Sequence, residues 1–102
     1  MTISSGSQIT PSPILNRRMI IQNKKGLHAR ASVKFAQMVE KFSADVQVSR
    51  CGETVSGASI MGLLTLGAAV DTFIDVQVTG SDAEECLEAI QTLLDNRFGE
   101  EE

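Results

Sequence analysis

Residues 73–79 alternate strictly, and that alternation constrains the fold more than any other feature of the chain. Ile74, Val76 and Val78 fall on one face, Asp75 and Gln77 on the other. Side chains of a strand point to opposite faces in turn, so this strand has one side to bury and one side for water. A sheet built from such strands needs a covering layer on one face only. Residues 45–50 repeat the pattern with Val46 and Val48 inward. Cys51-Gly52 makes a tight turn into a short strand, 53–56, with Val55 inward. A further strand is predicted over 17–23, with Met19 and Ile21 on one face.

The cover comes from segments with helical period. Ala31, Phe35, Met38, Val39 and Phe42 line one face of a helix predicted over 29–42. Ser59 opens a short helix that Gly67 can close, with Leu63 and Leu66 available to the core. Ser81 and Glu84 have capping-box spacing before a last helix that buries Ala83, Leu87, Ile90, Leu93 and Leu94. The element order is βαββαβα, an α+β arrangement.

A chain of 102 residues can build one modest core. The 16 residues before the first predicted strand are rich in Ser, Gly and Pro and cannot form a packed element. They read as a flexible extension without catalytic consequence. Residues 17–98 form the domain, and 99–102 an acidic tail. Net charge is −4, which argues against a nucleic-acid binder. Positive charge gathers early, at Arg17, Arg18, Lys24, Lys25, Arg30 and Lys34, and several of these flank the only histidine. Negative charge gathers late, ending in Glu100, Glu101 and Glu102. An acidic molecule with a basic active face is therefore expected. No apolar run is long enough to span a bilayer, and no secretory leader is visible. Cys51 and Cys86 have no metal-ligand spacing; Cys51 is expected in an exposed turn and Cys86 as a buried thiol. A cytoplasmic protein with reduced thiols is the simplest reading.

The chemistry centres on Gly26-Leu27-His28-Ala29-Arg30. His28 stands at the mouth of the first helix. The first N–H groups of a helix have no intrahelical partner, and the dipole there favours an anion. A cation is disfavoured at the same place, so His28 is expected to tend towards the neutral form. Neutral imidazole is the form that attacks phosphorus, and its ordinary pKa of about 6.5 lies near physiological pH. The helix amides of Ala29 and Arg30 can hold phosphoryl oxygens. The planar guanidinium of Arg30 suits the same oxygens. Gly26 lets the incoming backbone bend sharply. On these residues alone, a capping or surface histidine is the commoner case.

Two motifs in register change that weighting. Residues 26–32, Gly26-Leu27-His28-Ala29-Arg30-Ala31-Ser32, resemble the active-site signature of the HPr family, the histidine-containing phosphocarriers of the phosphoenolpyruvate-dependent phosphotransferase system. Residues 57–67, from Gly57-Ala58-Ser59-Ile60-Met61 to Gly67, resemble the family's second-helix motif. His28 and Ser59 lie 31 residues apart, which fits the family. The resemblance runs from about 19 to about 94. It implies a four-stranded antiparallel sheet with three helices on one face, an open-faced sandwich. It implies phosphorylation of His28 at Nδ1, steadied by Arg30, with enzyme I as donor and an enzyme IIA as acceptor. Ser59 becomes a regulatory serine, addressed in some bacteria by a dedicated serine kinase. Ile60, Met61 and Leu64 become a docking patch for protein partners, and methionine suits a surface that fits several of them. Such a protein is a monomeric relay rather than an enzyme and needs no metal or cofactor. The alternative is a regulatory interaction protein of a nitrogen-related branch, governed by its phosphorylation state.

Two positions depart from the family pattern. Ala31 stands where proline is usual. Proline is pre-organised for a first helical turn; alanine keeps the helix but leaves its start looser. Asp71 stands where the turn after the second helix often has glycine, and aspartate tolerates a left-handed backbone better than most residues.

Overall fold

The computed structural model describes residues 14–101. Four strands form one sheet: β1 (Ile14–Ile20), β2 (Asp45–Arg50), β3 (Glu53–Ser56) and β4 (Phe73–Thr79). Three helices follow the predicted order: α1 (Ala29–Val39), α2 (Ile60–Thr65) and α3 (Ala83–Asp95), with a single 3-10 turn at Arg97–Gly99. The strand order is β1-β4-β2-β3 and every pairing is antiparallel. All three helices cover one face of the sheet, giving the open-faced sandwich.

The register explains why one face is buried. Met19 lies opposite Ile74, Val78 opposite Val46, and Val76 opposite Val48, so the inward residues of three strands meet in rows. Phe35 and Ala31 of α1, Leu63 of α2, and Cys86, Leu87, Ile90 and Leu94 of α3 close over them. Each of the large aliphatic side chains stabilises the fold by about 1.5–3 kcal/mol on leaving water. The other face carries Arg18, Asp75, Gln77 and Ser49. Arg18 bonds Asp75 at 3.0 Å there and lies 3.9 Å from the centre of the Phe73 ring.

Several local expectations need correction. The first strand is displaced towards the N-terminus, because β4 offers seven residues and β1 pairs with all of them, from Ile14 opposite Thr79 to Ile20 opposite Phe73. Residues 14–16 thus belong to the sheet and not to the extension; the rest of the expected extension lies outside the described residues. Ile21 still reaches the core beyond the end of the strand. The first helix stops at Val39, and tighter bonds from Lys41 N to Met38 O and Phe42 N to Val39 O finish its last turn. Ser81 does not cap the last helix. Asp82 is the N-cap residue, and its carboxylate accepts from Ser43 N at 2.9 Å and Ser43 Oγ at 3.2 Å, tying α3 to the loop before β2.

Both departures from the family pattern are accommodated. Ala31 is fully buried within α1, and the first helical bond, Ser32 N to His28 O, forms at 2.8 Å. Asp71 has a φ of +70° and donates its N–H to Ile21 O, so it occupies a left-handed turn. Cys51 is exposed at the β2–β3 turn. Cys86 is buried in α3, where burial and then the Asp82 carboxylate push its thiol up to about 11. A thiol held there is protonated at neutral pH and chemically inert.

Candidate functional site

The approach to α1 is built by a close contact between two loops. Gly26 has a φ of +71°, and a Cβ at that position would lie 2.5 Å from the carbonyl oxygen of Ala68. Any other residue would therefore face both a left-handed backbone and a backbone collision. The same Ala68 oxygen accepts from Leu27 N at 2.8 Å. Leu27 is buried, so the chain is pinned on either side of the turn and the next residue is forced to the surface. That residue is His28, the N-cap of α1, with extended backbone and no side-chain capping bond. Its ring is free for other work and about one quarter exposed, at 27%.

The first turn of α1 contains no acidic residue of its own. The hydrogen-bond ladder begins only at Ser32, so the amides of Ala29 and Arg30 precede it. Arg30 is exposed and makes no hydrogen bond or ion pair among the described residues. It lines an open cleft of about 430 Å³ together with Lys24, Lys25, Gly99, Glu100 and Glu101. An anion beside His28 would thus meet helix amides and a guanidinium whose donors are not already engaged.

One member of this site was not foreseen. Glu100, assigned from the sequence to an acidic tail, folds back onto the histidine. Its Oε2 lies 2.6 Å from His28 Nε2, and its Oε1 accepts from Asn23 Nδ2 at 3.1 Å. Asn23 is fully buried and also donates to Gly26 O at 2.7 Å, so it ties the glycine turn to the returning tail. The expected separation of a basic face from an acidic end is therefore incomplete. A glutamate whose side chain is 13% exposed shares the cleft with Lys24, Lys25 and Arg30.

Burial pushes the Glu100 carboxyl up. Hydrogen bonds from His28 and Asn23, with the charges of His28 and Lys25, act the other way and hold it below the ordinary glutamate range. Glu100 is then ionised at neutral pH and can only accept. The proton of the short contact belongs to Nε2, and in the neutral ring Nδ1 carries the lone pair. Nδ1 itself has no hydrogen bond among the described residues. A carboxyl lowered on folding adds stability above its unfolded value and loses that contribution as pH falls through its folded value. The contacts of Glu100 are therefore expected to be intact at neutral pH and to break only below its ordinary value of 4.5. The carboxyl carbon shift of Glu100 followed against pH checks this; a midpoint at or above that ordinary value would contradict it.

The second motif lies on a separate element. Ser59 is the N-cap of α2, and its Oγ accepts from Gly62 N at 3.0 Å. Leu63 and Leu66 are buried, Ile60 and Met61 are exposed at 39% and 71%, and Leu64 is half-buried. The division between core and outward residues on α2 is thus the one its sequence suggests. No helix among the described residues is long and apolar enough to cross a membrane.

Known proteins share much of this sequence and fold. Residues 15–96 match the family model described as the PTS HPr component phosphorylation site. The chain is 42% identical to the phosphocarrier protein HPr of Cupriavidus necator over 89 residues, 87% of this chain and all of that protein. It is 38% identical to the phosphocarrier protein NPr of Shewanella violacea, covering 84% of this chain and 94% of that one. Among solved structures, HPr-C-His from Thermoanaerobacter tengcongensis superposes with a TM-score of 0.82 at 35% identity, covering 86% of this chain and 99% of the other. With its fold and both of its sequence motifs in place, the chain belongs to the HPr family of phosphocarriers of the phosphotransferase system.

Proposed function

We propose that this chain takes a phosphoryl group from enzyme I onto Nδ1 of His28 and passes it to a histidine of an enzyme IIA. The observation that carries this reading is the geometry at the mouth of α1. A partly exposed imidazole with an unbonded Nδ1 stands at the mouth of α1, where the helix amides are unpaired and an unengaged arginine follows two residues later. Nδ1 attacks phosphorus, Arg30 and the amides of Ala29 and Arg30 hold the phosphoryl oxygens, and the donor leaves. The next acceptor then reverses the step. The chain is consumed and regenerated, so it is a relay in the cytoplasm and not a catalyst, and it acts as a monomer without metal or cofactor. Incubation with phosphoenolpyruvate and enzyme I, followed by addition of an enzyme IIA, tests the whole sequence. Label must appear first on this chain and then leave it.

The second reading is a regulatory protein of a nitrogen-related branch, favoured by the likeness to a protein named NPr. There the phosphorylation state of His28 or Ser59 would govern binding to a target. Binding partners recovered separately with phosphorylated and unphosphorylated chain distinguish relay from regulator.

The proposed docking patch lies beside Ser59. Phosphorylation by a serine kinase, or Ser59→Asp, places negative charge next to Ile60, Met61 and Leu64. Aspartate retains an oxygen for the Gly62 amide and suits the helix dipole. Ser59→Asp is expected to unfold at the same temperature as the parent or slightly above it. Its affinity for enzyme I is expected to fall. Calorimetric titration decides this, and equal affinities would leave Ser59 as a cap alone.

A further inference from the structure

Residues 97–100 form a strap that the phosphocarrier reading does not require. Beyond α3 the backbone takes three consecutive left-handed conformations, at Arg97 (φ +55°), Phe98 (φ +56°) and Gly99 (φ +78°). Two of these are not glycine, and such residues persist there only when their surroundings hold them. Phe98 supplies the anchor, with its ring 1% exposed in the core. Lys34 of α1 donates to Phe98 O at 2.6 Å. The reversal delivers Glu100 to Asn23 and to His28 Nε2. Strap and histidine are thus joined through α1, the glycine turn and the ring itself.

We propose that Glu100 is a positioning residue for His28, carried on this strap: it orients the imidazole through Nε2–H and faces the charge that the ring acquires during transfer. This rests on His28 being the phosphoryl acceptor. In the transfer step the lone pair of Nδ1 forms the N–P bond. The bond from phosphorus to the donor atom breaks, and its electron pair leaves on that atom. Nε2 keeps its proton, so the ring becomes formally cationic. The carboxylate of Glu100 lies on the side of the ring away from the incoming phosphoryl group. It meets that positive charge without blocking Nδ1. A carboxylate that holds the tautomer and orientation of a reacting histidine serves the same purpose in hydrolase triads.

The experiment compares the full chain with Glu100→Ala and Glu100→Gln by two readouts. The first is the ring N–H signal of His28 in the unphosphorylated chain, above the ordinary imidazole range. A proton held at 2.6 Å by a carboxylate is expected to be protected from solvent exchange and shifted downfield. In Glu100→Ala the signal is lost to exchange. The second is the rate of phosphoryl uptake from enzyme I, expected to fall about tenfold in Glu100→Ala, the low end for loss of an orienting partner. Glu100→Gln keeps an accepting oxygen but no charge, so it recovers part of the rate. An unchanged ring signal, an unchanged rate, or faster uptake by Glu100→Ala would each overturn the proposal, the last by making Glu100 a competitor for the incoming anion. The ring signal is read without any transfer. If it behaves as expected while the parent chain takes no phosphate, the phosphocarrier reading fails and the contact stands.

Discussion

His28→Ala is expected to take no phosphate at all from phosphoenolpyruvate and enzyme I. His28 is the single histidine of the chain, so no second imidazole can substitute. The variant is expected to fold. The side chain makes no capping bond to α1, and its backbone carbonyl still accepts from Ser32 N. The cost is the contact to Glu100, a hydrogen bond worth about 1 kcal/mol net. In a domain of this size that lowers the unfolding midpoint by roughly 4–8 °C. Glu100 keeps Asn23 as a donor, so its carboxylate is not left without a partner. Intact-mass measurement before and after incubation reads the gain of one phosphoryl group directly. Acid-labile phosphate on His28→Ala would remove His28 from its assigned role.

Arg30→Ala is expected to slow transfer by about a hundredfold while leaving stability almost unchanged. Removing a donor aimed at charge in a transition state commonly costs a few kcal/mol, and the lower end applies because Arg30 is open to solvent. The side chain has no partner to lose among the described residues, so the folded state has little to give up. Arg30→Lys restores the charge without the planar fork and is expected to recover only part of the rate. Single-turnover transfer from phosphorylated enzyme I, set beside thermal unfolding of the same three proteins, separates the effects. Equal rates in all three would mean that the helix amides suffice.

The fold was legible wherever local pattern and tertiary pairing agree. Ile74, Val76 and Val78 alternate with polar residues, and β4 is the strand that pairs on both sides. β2 and β3 follow the same logic through Val46, Val48 and Val55, joined at Cys51-Gly52. Boundaries failed where pairing overrides composition. Residues 14–16 look like the end of a Pro- and Ser-rich stretch, yet β4 recruits them as the first three of β1's seven residues. Ser81 has the spacing of a capping box, but Asp82 is drawn to Ser43, a residue 39 positions away that no local pattern reveals.

The site divides in the same way. His28, the helix mouth and Arg30 are adjacent in sequence, so one glycine turn sets where all three begin. Ser59 caps α2 as its position before an apolar helical run suggests. Glu100 and Asn23 come from opposite ends of the chain and meet only through the packing of α3 on the sheet. One signal pointed to them: Phe98, a large aromatic just past the last helix, in a chain with only four phenylalanines. An apolar residue of that size in an otherwise acidic end must find a core. Where it goes, Glu100 follows within two residues.

The central claim concerns one atom, Nδ1 of His28. It is tested most directly by phosphorus and nitrogen NMR of the uniformly nitrogen-labelled chain after incubation with phosphoenolpyruvate and enzyme I. The account predicts a single phosphoramidate resonance, coupled to Nδ1, with Nε2 still protonated and bonded to Glu100. Phosphorus on Nε2, the nitrogen occupied by Glu100 at 2.6 Å, or no nitrogen-bound phosphorus at all, would contradict it.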